Sequence, residues 1–296
     1  MTKKELKFTN LEKIYWPEEK YTKGDMVSYY EKIATYILPH IKGRPQSLNR
    51  FPNGISGESF FQKDMKDLPP QWAKTKKIHS DSGDKDINFI IADNKETLLY
   101  LANLGCIEIN VWNSRLGSLD RPDFMVLDLD PENIEFNQVI EVAKVGKTIL
   151  DKIGAVAYIK TSGSRGMHIY IPIGAKYSYE QAQQLAKLIA IAINKKIPAI
   201  TSLIRSPKRR QKKVYLDYLQ NGKGKTMAAP YSLRPKPGAP VSTPLEWKEL
   251  RIRLDPRDFN IKNIFSRLEK KGDVWKKILK SKNNIEPLLS KLENLI

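Results

Sequence analysis

The chain is poor in the residues that build disulfides and thiolate metal sites: among its 296 residues there is one cysteine, Cys106. A single thiol cannot form an internal disulfide or supply the cysteine set of a structural zinc site. The N-terminus, Met-Thr-Lys-Lys-Glu-Leu, lacks the apolar stretch of a secretory signal, and no apolar run reaches the ~20 residues of a membrane span. These absences predict a protein of a reducing cytoplasm without a membrane anchor.

Acidic residues are scarce relative to basic ones. There are 51 Lys and Arg against 33 Asp and Glu, which gives a formal net charge of +18. This charge opposes compaction, and a polyanionic partner, either a nucleic acid or an anionic membrane surface, is the usual reason that a folded protein carries it. Hydrophobic residues still make up 41% of the chain, which is enough for a core and argues against a disordered basic tail.

Hydrophobic periodicity in the middle of the chain predicts six elements. They are a strand at 124–130, a helix at about 134–153, strands at 155–161 and 167–173, a helix at about 179–195 and a strand at 214–219. This order is the split βαβ or ferredoxin-like pattern, which the RRM fold shares. Pro131 is expected to end the first of these strands.

The flanking regions give fewer signals. Thr22 and Asp25 resemble a capping box at the start of a first helix, which Pro39 is expected to end. The segment 45–57 is rich in Gly, Pro and Asn and is predicted to be irregular. Residues after Asp255 are predicted to form short helices that are rich in lysine.

Aspartates are expected to meet on the predicted sheet. Asp128 and Asp130 are two residues apart on one strand, so their side chains share a face at roughly 6–7 Å. Asp217 lies inside the last predicted strand, which neighbours the first in the usual form of this fold. Crowded carboxylates repel one another unless a cation lies between them, and an all-oxygen set suits Mg²⁺ or Mn²⁺. A strand end that faces water is an alternative explanation for Asp128 and Asp130. Asp217 lies inside a strand, which is unusual for aspartate, and this favours the metal site.

The turn Thr-Ser-Gly-Ser-Arg-Gly-Met-His, from Thr161 to His168, is a second candidate. Its backbone amides and hydroxyls can form a nest for an anion, with Arg165 as the counter-charge. His168 begins a strand antiparallel to that of Asp128, which predicts that the turn lies near the aspartates. A hairpin without a ligand is the alternative.

Several segments carry a resemblance to a known family: Thr9-Asn-Leu-Glu-Lys13, Thr22-Lys-Gly-Asp25, Gly43-Arg-Pro45, Arg50-Phe-Pro-Asn-Gly54, Phe60-Phe-Gln-Lys63, Val126-Leu-Asp-Leu-Asp-Pro131, Thr161 to His168, Val214-Tyr-Leu-Asp-Tyr-Leu-Gln-Asn221 and Ala229-Pro-Tyr-Ser-Leu-Arg234. Together, in this order, they resemble the polymerase domain of bacterial DNA ligase D, a member of the archaeo-eukaryotic primase superfamily. The resemblance implies one α+β catalytic domain with three parts. These are an N-terminal α/β subdomain at about 1–115, a split βαβ catalytic core at 116–250 and C-terminal helices at 251–296.

The resemblance also implies an activity. It indicates a nucleotidyltransferase that fills in or extends 3′ ends at DNA double-strand breaks during non-homologous end joining and prefers ribonucleotides. Two Mn²⁺ or Mg²⁺ ions and a nucleoside triphosphate would take part. The implied partners are DNA with a gapped, recessed or overhanging end and a 5′-phosphate, an ATP-dependent DNA ligase and a Ku-type end-binding protein, in the cytoplasm at the nucleoid. The alternatives are a stand-alone primase and a non-catalytic RRM-like module, although RRM modules present aromatics where this sheet presents aspartates.

Roles for individual residues follow from the resemblance by position. The metal-binding and catalytic acids are Asp128, Asp130 and Asp217. The residues around the incoming nucleotide are Ser162, Ser164, Arg165, His168, Gln220 and Arg234. The DNA-binding residues are Lys13 and Lys23 at the 5′-phosphate, Phe61 stacked on the template with Arg50 and Lys63 nearby, and Arg210 in a loop that moves when substrate binds.

The first helix adds a physical argument for Lys23, because a helix start offers free amides and a positive dipole end to a phosphate. A solvated lysine face is the alternative in so basic a chain. Two positions depart from the family pattern: Arg165 stands where Lys is usual, and Asn110 stands where His is common. A Lys-x-Asp-Gly ligase motif is absent from the sequence, so nick sealing is not expected of these residues.

Overall fold

The computed structural model describes residues 6–66, 69–80, 83–210, 212–251 and 253–296. The strands in these ranges are β1 (Ile14–Trp16), β2 (Tyr21–Thr22), β3 (Gln46–Arg50), β4 (Phe60–Gln62), β5 (Thr75–Ser80), β6 (Lys85–Ile90), β7 (Cys106–Trp112), β8 (Phe124–Glu132), β9 (Tyr158–Thr161), β10 (Met167–Pro172), β11 (Thr201–Ser202), β12 (Lys213–Asp217), β13 (Thr226–Ala228) and β14 (Pro244–Leu245). The α-helices are α1 (Lys23–Ile41), α2 (Lys95–Asn103), α3 (Phe136–Ile153), α4 (Tyr179–Lys196), α5 (Ile264–Lys271) and α6 (Ile285–Glu293).

The largest sheet has the strand order β11-β12-β8-β10-β9-β14. Its four central strands, with α3 and α4 between them in the chain, form the predicted β-α-β-β-α-β core, so the split βαβ prediction is confirmed. Side chains alternate along β8, and Met125, Leu127 and Leu129 enter the core that α3 and α4 complete. Asp128 and Asp130 therefore lie on the opposite face.

Pro131 does not end β8, and that prediction was wrong. The strand continues to Glu132, and Pro131 lies opposite Val214 of β12. On its other side β8 has a partner only as far as Leu129, where β10 begins. A proline without an N–H is tolerated there because the strand has become an edge on that side.

A second sheet has the order β13-β7-β3-β4, and α1 and α2 share a hydrophobic core with it. Its strand β3, Gln46–Arg50, lies within the segment predicted to be irregular, so that prediction was wrong for these residues. The sequence of β3 lacks apolar alternation because Leu48 enters the core while Ser47 and Asn49 face a polar cleft. The three-part division of the chain stays a prediction, and β13, at 226–228, lies in the second sheet.

The capping box at the start of α1 is present in both directions between Thr22 and Asp25. Pro39 does not end this helix, which continues to Ile41, so that prediction was wrong. Proline removes one backbone hydrogen bond but leaves the last half-turn in place. The short helices predicted for the tail are confirmed as α5 and α6. Within the described ranges no helix is both long and apolar enough to cross a membrane.

Beyond the end of β12, the side chain of Asn221 forms the hydrogen bonds to β8 that a neighbouring strand would otherwise form. Its Oδ1 accepts a hydrogen bond from Val126 N at 2.8 Å, and its Nδ2 donates to Val126 O and to Tyr218 O. Asn221 is 1% exposed, so these bonds satisfy backbone groups that water does not reach. They also fix the loop after Asp217 against the middle of β8.

We expect Asn221→Ala to lower the free energy of unfolding by about 2–4 kcal/mol, because two buried backbone groups of Val126 lose their partner. Urea denaturation measures this loss. The control is Asn137→Ala, at an exposed position of α3. Equal stability of the two variants would contradict the role assigned to Asn221.

Candidate active site

The three predicted aspartates lie on neighbouring strands. Asp217 on β12 is directly opposite Asp128 on β8, and Asp130 follows two residues along the same face. His168 on β10 is opposite Asp128 from the other side. The structure thus brings together Asp217, Asp128 and His168 in one row across three strands, as the fold predicted.

Asp128 is the electrostatic centre of this row. Burial raises the pKa of its carboxyl to about 7, and the charges of Asp130 and Asp217 contribute to the rise. The Nε2 atom of His168 lies 3.5 Å from Asp128 Oδ1, but burial and nearby cations hold the pKa of His168 well below its ordinary value. A neutral imidazole leaves the carboxylates without a balancing charge at the centre of the row.

Asp130 is held by two arginines. Arg210 Nη2 lies 3.3 Å from Asp130 Oδ2, and Arg165 Nη2 lies 3.8 Å from Oδ1. Burial raises the pKa of Asp130, while these two guanidinium groups counteract the rise. Arg210 is 6% exposed and stacks over the ring of Tyr215 at 4.3 Å, so the basic loop folds back onto the aspartates.

The donor set fits a divalent cation, because Asp128, Asp130 and Asp217 offer only oxygen and crowd negative charge in a buried place. In the described residues no three His, Cys, Asp or Glu side chains are already gathered around one point. Asp130 is turned to Arg210 and Arg165, and Asp217 accepts hydrogen bonds from Leu219 N at 2.9 Å and Gln220 Nε2 at 3.2 Å. Binding an ion between the carboxylates therefore requires these contacts to loosen.

The turn of residues 162–166, hereafter the Ser162 turn, lies at the Asp130 end of β8. Ser162 Oγ accepts hydrogen bonds from the amides of Ser164 and Gly166, at 3.1 and 3.0 Å. The prediction that these two amides bind an anion was therefore wrong, because they donate hydrogen bonds within the turn. Gly166 is required sterically, since a Cβ there would lie 2.1 Å from Leu129 O. Arg165 extends from the turn with 65% of its side chain exposed and can reach a bound anion.

Arg234 connects the Ser162 turn to the second sheet. Its Nη1 donates to Ser162 O at 2.7 Å, and its Nε lies 3.2 Å from Glu108 Oε2 on β7. Glu108 is 7% exposed and was not identified from the sequence. The alternation of Glu108, Asn110 and Trp112 with apolar residues along β7 was the signal that could have revealed a polar face.

Lys160 is a second residue that sequence reasoning missed. It lies opposite His168 and so extends the row of Asp217 and Asp128 to β9. It is fully buried, its Nζ donates to Ser242 Oγ, and burial holds its pKa well below the ordinary value. The residues around Lys160 in the sequence do not distinguish it from a solvent-exposed lysine on a strand.

Across the cleft, β3 and β7 present neutral polar side chains without partners. Asn110 lies opposite Ser47, and Asn49 lies opposite Glu108, which places these residues on one face. Among the described residues, Asn110 Nδ2, Ser47 Oγ and Asn49 Oδ1 are buried and have no hydrogen-bond partner. Buried polar groups of this kind are normally satisfied, so this face is shaped for a polar ligand. Asn110, where the family commonly has His, belongs to it.

The predicted DNA-end residues form a separate cationic group. Lys23 is 4% exposed, and its Nζ donates to Thr9 O at 2.7 Å and Asn103 Oδ1 at 2.9 Å. Burial, followed by the charges of Lys13 and Arg50, lowers the pKa of Lys23, which shows that the three cations lie close together. Among the described residues, no carboxylate forms an ion pair with any of them.

The helix start beside Lys23 does not offer free amides, and that expectation was wrong. The amide of Lys23 donates to Lys13 O and that of Gly24 to Leu11 O, both at 2.8 Å. The amide of Asp25 donates to the Thr22 side chain. An anion at this site must therefore be held by side chains.

Phe61, on β4, is 64% exposed, and its neighbour Phe60 is 46% exposed. Arg50 lies opposite Phe60 and its guanidinium stacks over that ring at 5.1 Å. The aromatic pair therefore adjoins the Lys13, Lys23 and Arg50 group. Lys63, which follows β4, is exposed.

Comparisons with known proteins agree with this geometry. A family model described as LigD, primase-polymerase domain, matches residues 22–275. The chain is 35% identical over 269 residues to the bifunctional non-homologous end joining protein LigD of Bacillus subtilis strain 168, covering 90% of this chain and 43% of that protein. It is 32% identical over 274 residues to the multifunctional non-homologous end joining protein LigD of Mycolicibacterium smegmatis, covering 91% of this chain and 35% of that protein.

A solved structure is similar over almost the whole chain. It is the polymerase domain from Mycobacterium tuberculosis ligase D in complex with DNA, with a TM-score of 0.87, 30% sequence identity and coverage of 95% of this chain and 100% of that one. The chain spans less than half the length of the two curated relatives named above. The resemblance read from the sequence segments is confirmed. This chain belongs to the LigD primase-polymerase domain family, a family of nucleotidyltransferases.

Proposed function

We propose that this chain extends DNA 3′ ends with nucleoside triphosphates during the repair of double-strand breaks by non-homologous end joining. The observation that carries the proposal is the pair Asp128 and Asp217, directly opposite each other on buried strands, with Asp130 beside them. Polymerases of this family need a divalent metal ion and nucleoside triphosphates. Two Mn²⁺ or Mg²⁺ ions held by these carboxylates would activate the 3′-hydroxyl and stabilise the leaving pyrophosphate.

The protein's own contribution is positioning and charge. Arg165 binds the triphosphate from the exposed side of the Ser162 turn, and Arg234, fixed by Ser162 O and Glu108, supports the turn from within. Arg210 leaves Asp130 as substrate enters, which frees that carboxylate for its ion. Charges arranged before the reaction act strongly where water is excluded.

In this proposal Ser47, Asn49 and Asn110, whose buried polar atoms have no partner among the described residues, bind the sugar or base of the incoming nucleotide. Hydroxyl groups of a ribose can donate to and accept from such side chains. This supports a preference for ribonucleotides, with the Asn110 amide replacing the imidazole that is common in the family.

The group of Lys13, Lys23 and Arg50 binds the 5′-phosphate of a gapped or recessed end, while Phe61 stacks on the template strand. The relatives that match are longer proteins, so we propose that an ATP-dependent DNA ligase and a Ku-type protein act with this domain in the cytoplasm, at the nucleoid. The alternative function, primer-independent synthesis, is tested by supplying a template and triphosphates without a primer.

Asp128→Asn and Asp217→Asn should each reduce primer extension by at least ~100-fold, equivalent to ~2.7 kcal/mol, because an ion ligand is lost while side-chain size is kept. DNA binding, measured by fluorescence anisotropy, should be unchanged or tighter, since a repulsive charge is gone. Glu141→Gln, at an exposed position of α3, is the control for charge. Extension retained by the double aspartate variant would disprove the assigned site.

Arg165→Ala should raise the KM for nucleoside triphosphate at least ~10-fold, a loss of ~1.4 kcal/mol, because the triphosphate loses a cation. Arg165→Lys should recover most of this loss. Lys187→Ala, on the exposed face of α4, is the matched control. Nucleotide titrations of Arg165→Ala that overlay the wild type would reduce the Ser162 turn to a structural hairpin.

A 5′-phosphate on the downstream strand should tighten binding of a gapped duplex, and Lys13→Ala combined with Lys23→Ala should remove the difference. Salt should weaken the phosphorylated complex more steeply, because more counterions are released. Anisotropy titrations of phosphorylated and unphosphorylated DNA measure both effects. Equal affinity of the wild type for the two DNAs would leave a polymerase without recognition of broken ends.

A further inference from the structure

A cavity of about 360 Å³ lies between the β5–β6 hairpin and the loop that follows Asp217. We call it the upstream cavity. Lys63, Lys223 and Lys225 line it together with His79, and Phe89 and Trp112 form an apolar wall. Its lining includes no residue of the Ser162 turn and none of Lys13, Lys23 and Arg50.

The wall of the upstream cavity contains a buried donor. Trp112 is 4% exposed, packs edge-on against Phe89 with ring centroids 5.5 Å apart, and has no hydrogen-bond partner for its Nε1 among the described residues. A Cβ on Gly224 would lie 3.7 Å from Trp112 Cζ2, so the edge of the indole next to Nε1 borders this loop.

Some of the charged groups around the cavity are already paired. Lys223 pairs with Asp120 at 2.7 Å, and His79 lies 3.3 Å from Asp86 and 3.7 Å from Asp84. Lys63 and Lys225, by contrast, have no ion-pair partner among the residues that the structure describes. These two ammonium groups are available to a phosphate.

The position of the cavity relative to the aspartates indicates which strand it meets. The Ser162 turn lies at the Asp130 end of β8, on the β10 side. The loop 218–225 leaves β12 on the other side of β8 and is fixed to Val126 by Asn221. The Ser162 turn and the cavity therefore flank Asp128 from opposite directions.

In-line phosphoryl transfer places the attacking oxygen and the leaving group on opposite sides of the phosphorus. With the triphosphate at the Ser162 turn, the strand that ends in the attacking 3′-hydroxyl extends away from that turn, toward the loop 218–225. Its backbone phosphates then pass the upstream cavity within a few nucleotides of the 3′ end.

We propose that the upstream cavity binds backbone phosphates of the DNA strand that is extended, through Lys225 and Lys63. The proposal rests on the proposed polymerase function for the choice of strand. It predicts a contact that depends on the upstream strand alone and not on the 5′-phosphate of the downstream strand.

The test compares Lys225→Glu with Lys187→Glu, which changes the net charge equally on the far side of the catalytic sheet. Two DNAs are titrated by fluorescence anisotropy: a gapped duplex, and the same duplex without its upstream strand. Lys225→Glu should bind the gapped duplex about fivefold more weakly than Lys187→Glu and lower its salt slope by about one, as expected for one lost phosphate contact. On the DNA without the upstream strand the two variants should bind equally.

Methylphosphonate linkages placed one at a time along the upstream strand locate the contact. At one or two linkages, neutralisation should make the wild type and Lys225→Glu bind equally. The proposal is overturned if no single linkage has this effect. It is also overturned if Lys225→Glu and Lys187→Glu bind the gapped duplex equally, or if Lys225→Glu weakens binding of both DNAs to the same extent. A protein that shows the Lys225 contact but extends no primer would instead contradict the proposed function, which keeps the two failures distinguishable.

Discussion

Burial of an aspartate beside two other carboxylates is the constraint on which the arrangement of the largest sheet depends. Asp128 lies between a second aspartate on β12 and a neutral histidine on β10, and its pKa is raised to about 7. Every cation near the row lowers this cost: Arg210 and Arg165 at Asp130, and Lys160 and Arg234 acting on Asp128. Lys160 and Arg234 are also held by Ser242 Oγ and Ser162 O, whereas Arg165 is largely exposed.

The Ser162 turn and the start of α1 were both expected to bind phosphate through backbone amides, and in both the protein itself uses several of those amides. Ser162 Oγ accepts two amides of its own turn, and the first residues of α1 donate to Leu11, Lys13 and Thr22. In the proposed function, anions are therefore bound by long cationic side chains. Such contacts are adjustable in length and depend strongly on salt.

The sequence predicted what depends on local alternation and fold geometry. The apolar run of β8, with aspartates at every second position, was enough to predict the strand, its polar face and the neighbour that carries Asp217. It could not predict β3, because a strand that lines a polar cleft loses the apolar pattern by which strands are identified. Lys160 and Glu108 were missed for a related reason: their burial is created by the opposite sheet and by Arg234, which are distant in the chain.

The two sheets differ in their polar side chains, and on the second sheet the neutral groups lie beside one charged residue, Glu108, which is paired with Arg234. The catalytic sheet contributes carboxylates, whereas β3 and β7 contribute Ser47, Asn49 and Asn110, whose unpartnered atoms carry no charge. Charged groups attract any phosphate, but buried neutral donors and acceptors discriminate, because a ligand that fails to match them leaves them unsatisfied. An imidazole can switch between charged and neutral forms, whereas the Asn110 amide cannot. If this face binds the nucleotide as proposed, its selectivity should depend on hydrogen-bond geometry and not on the titration of Asn110.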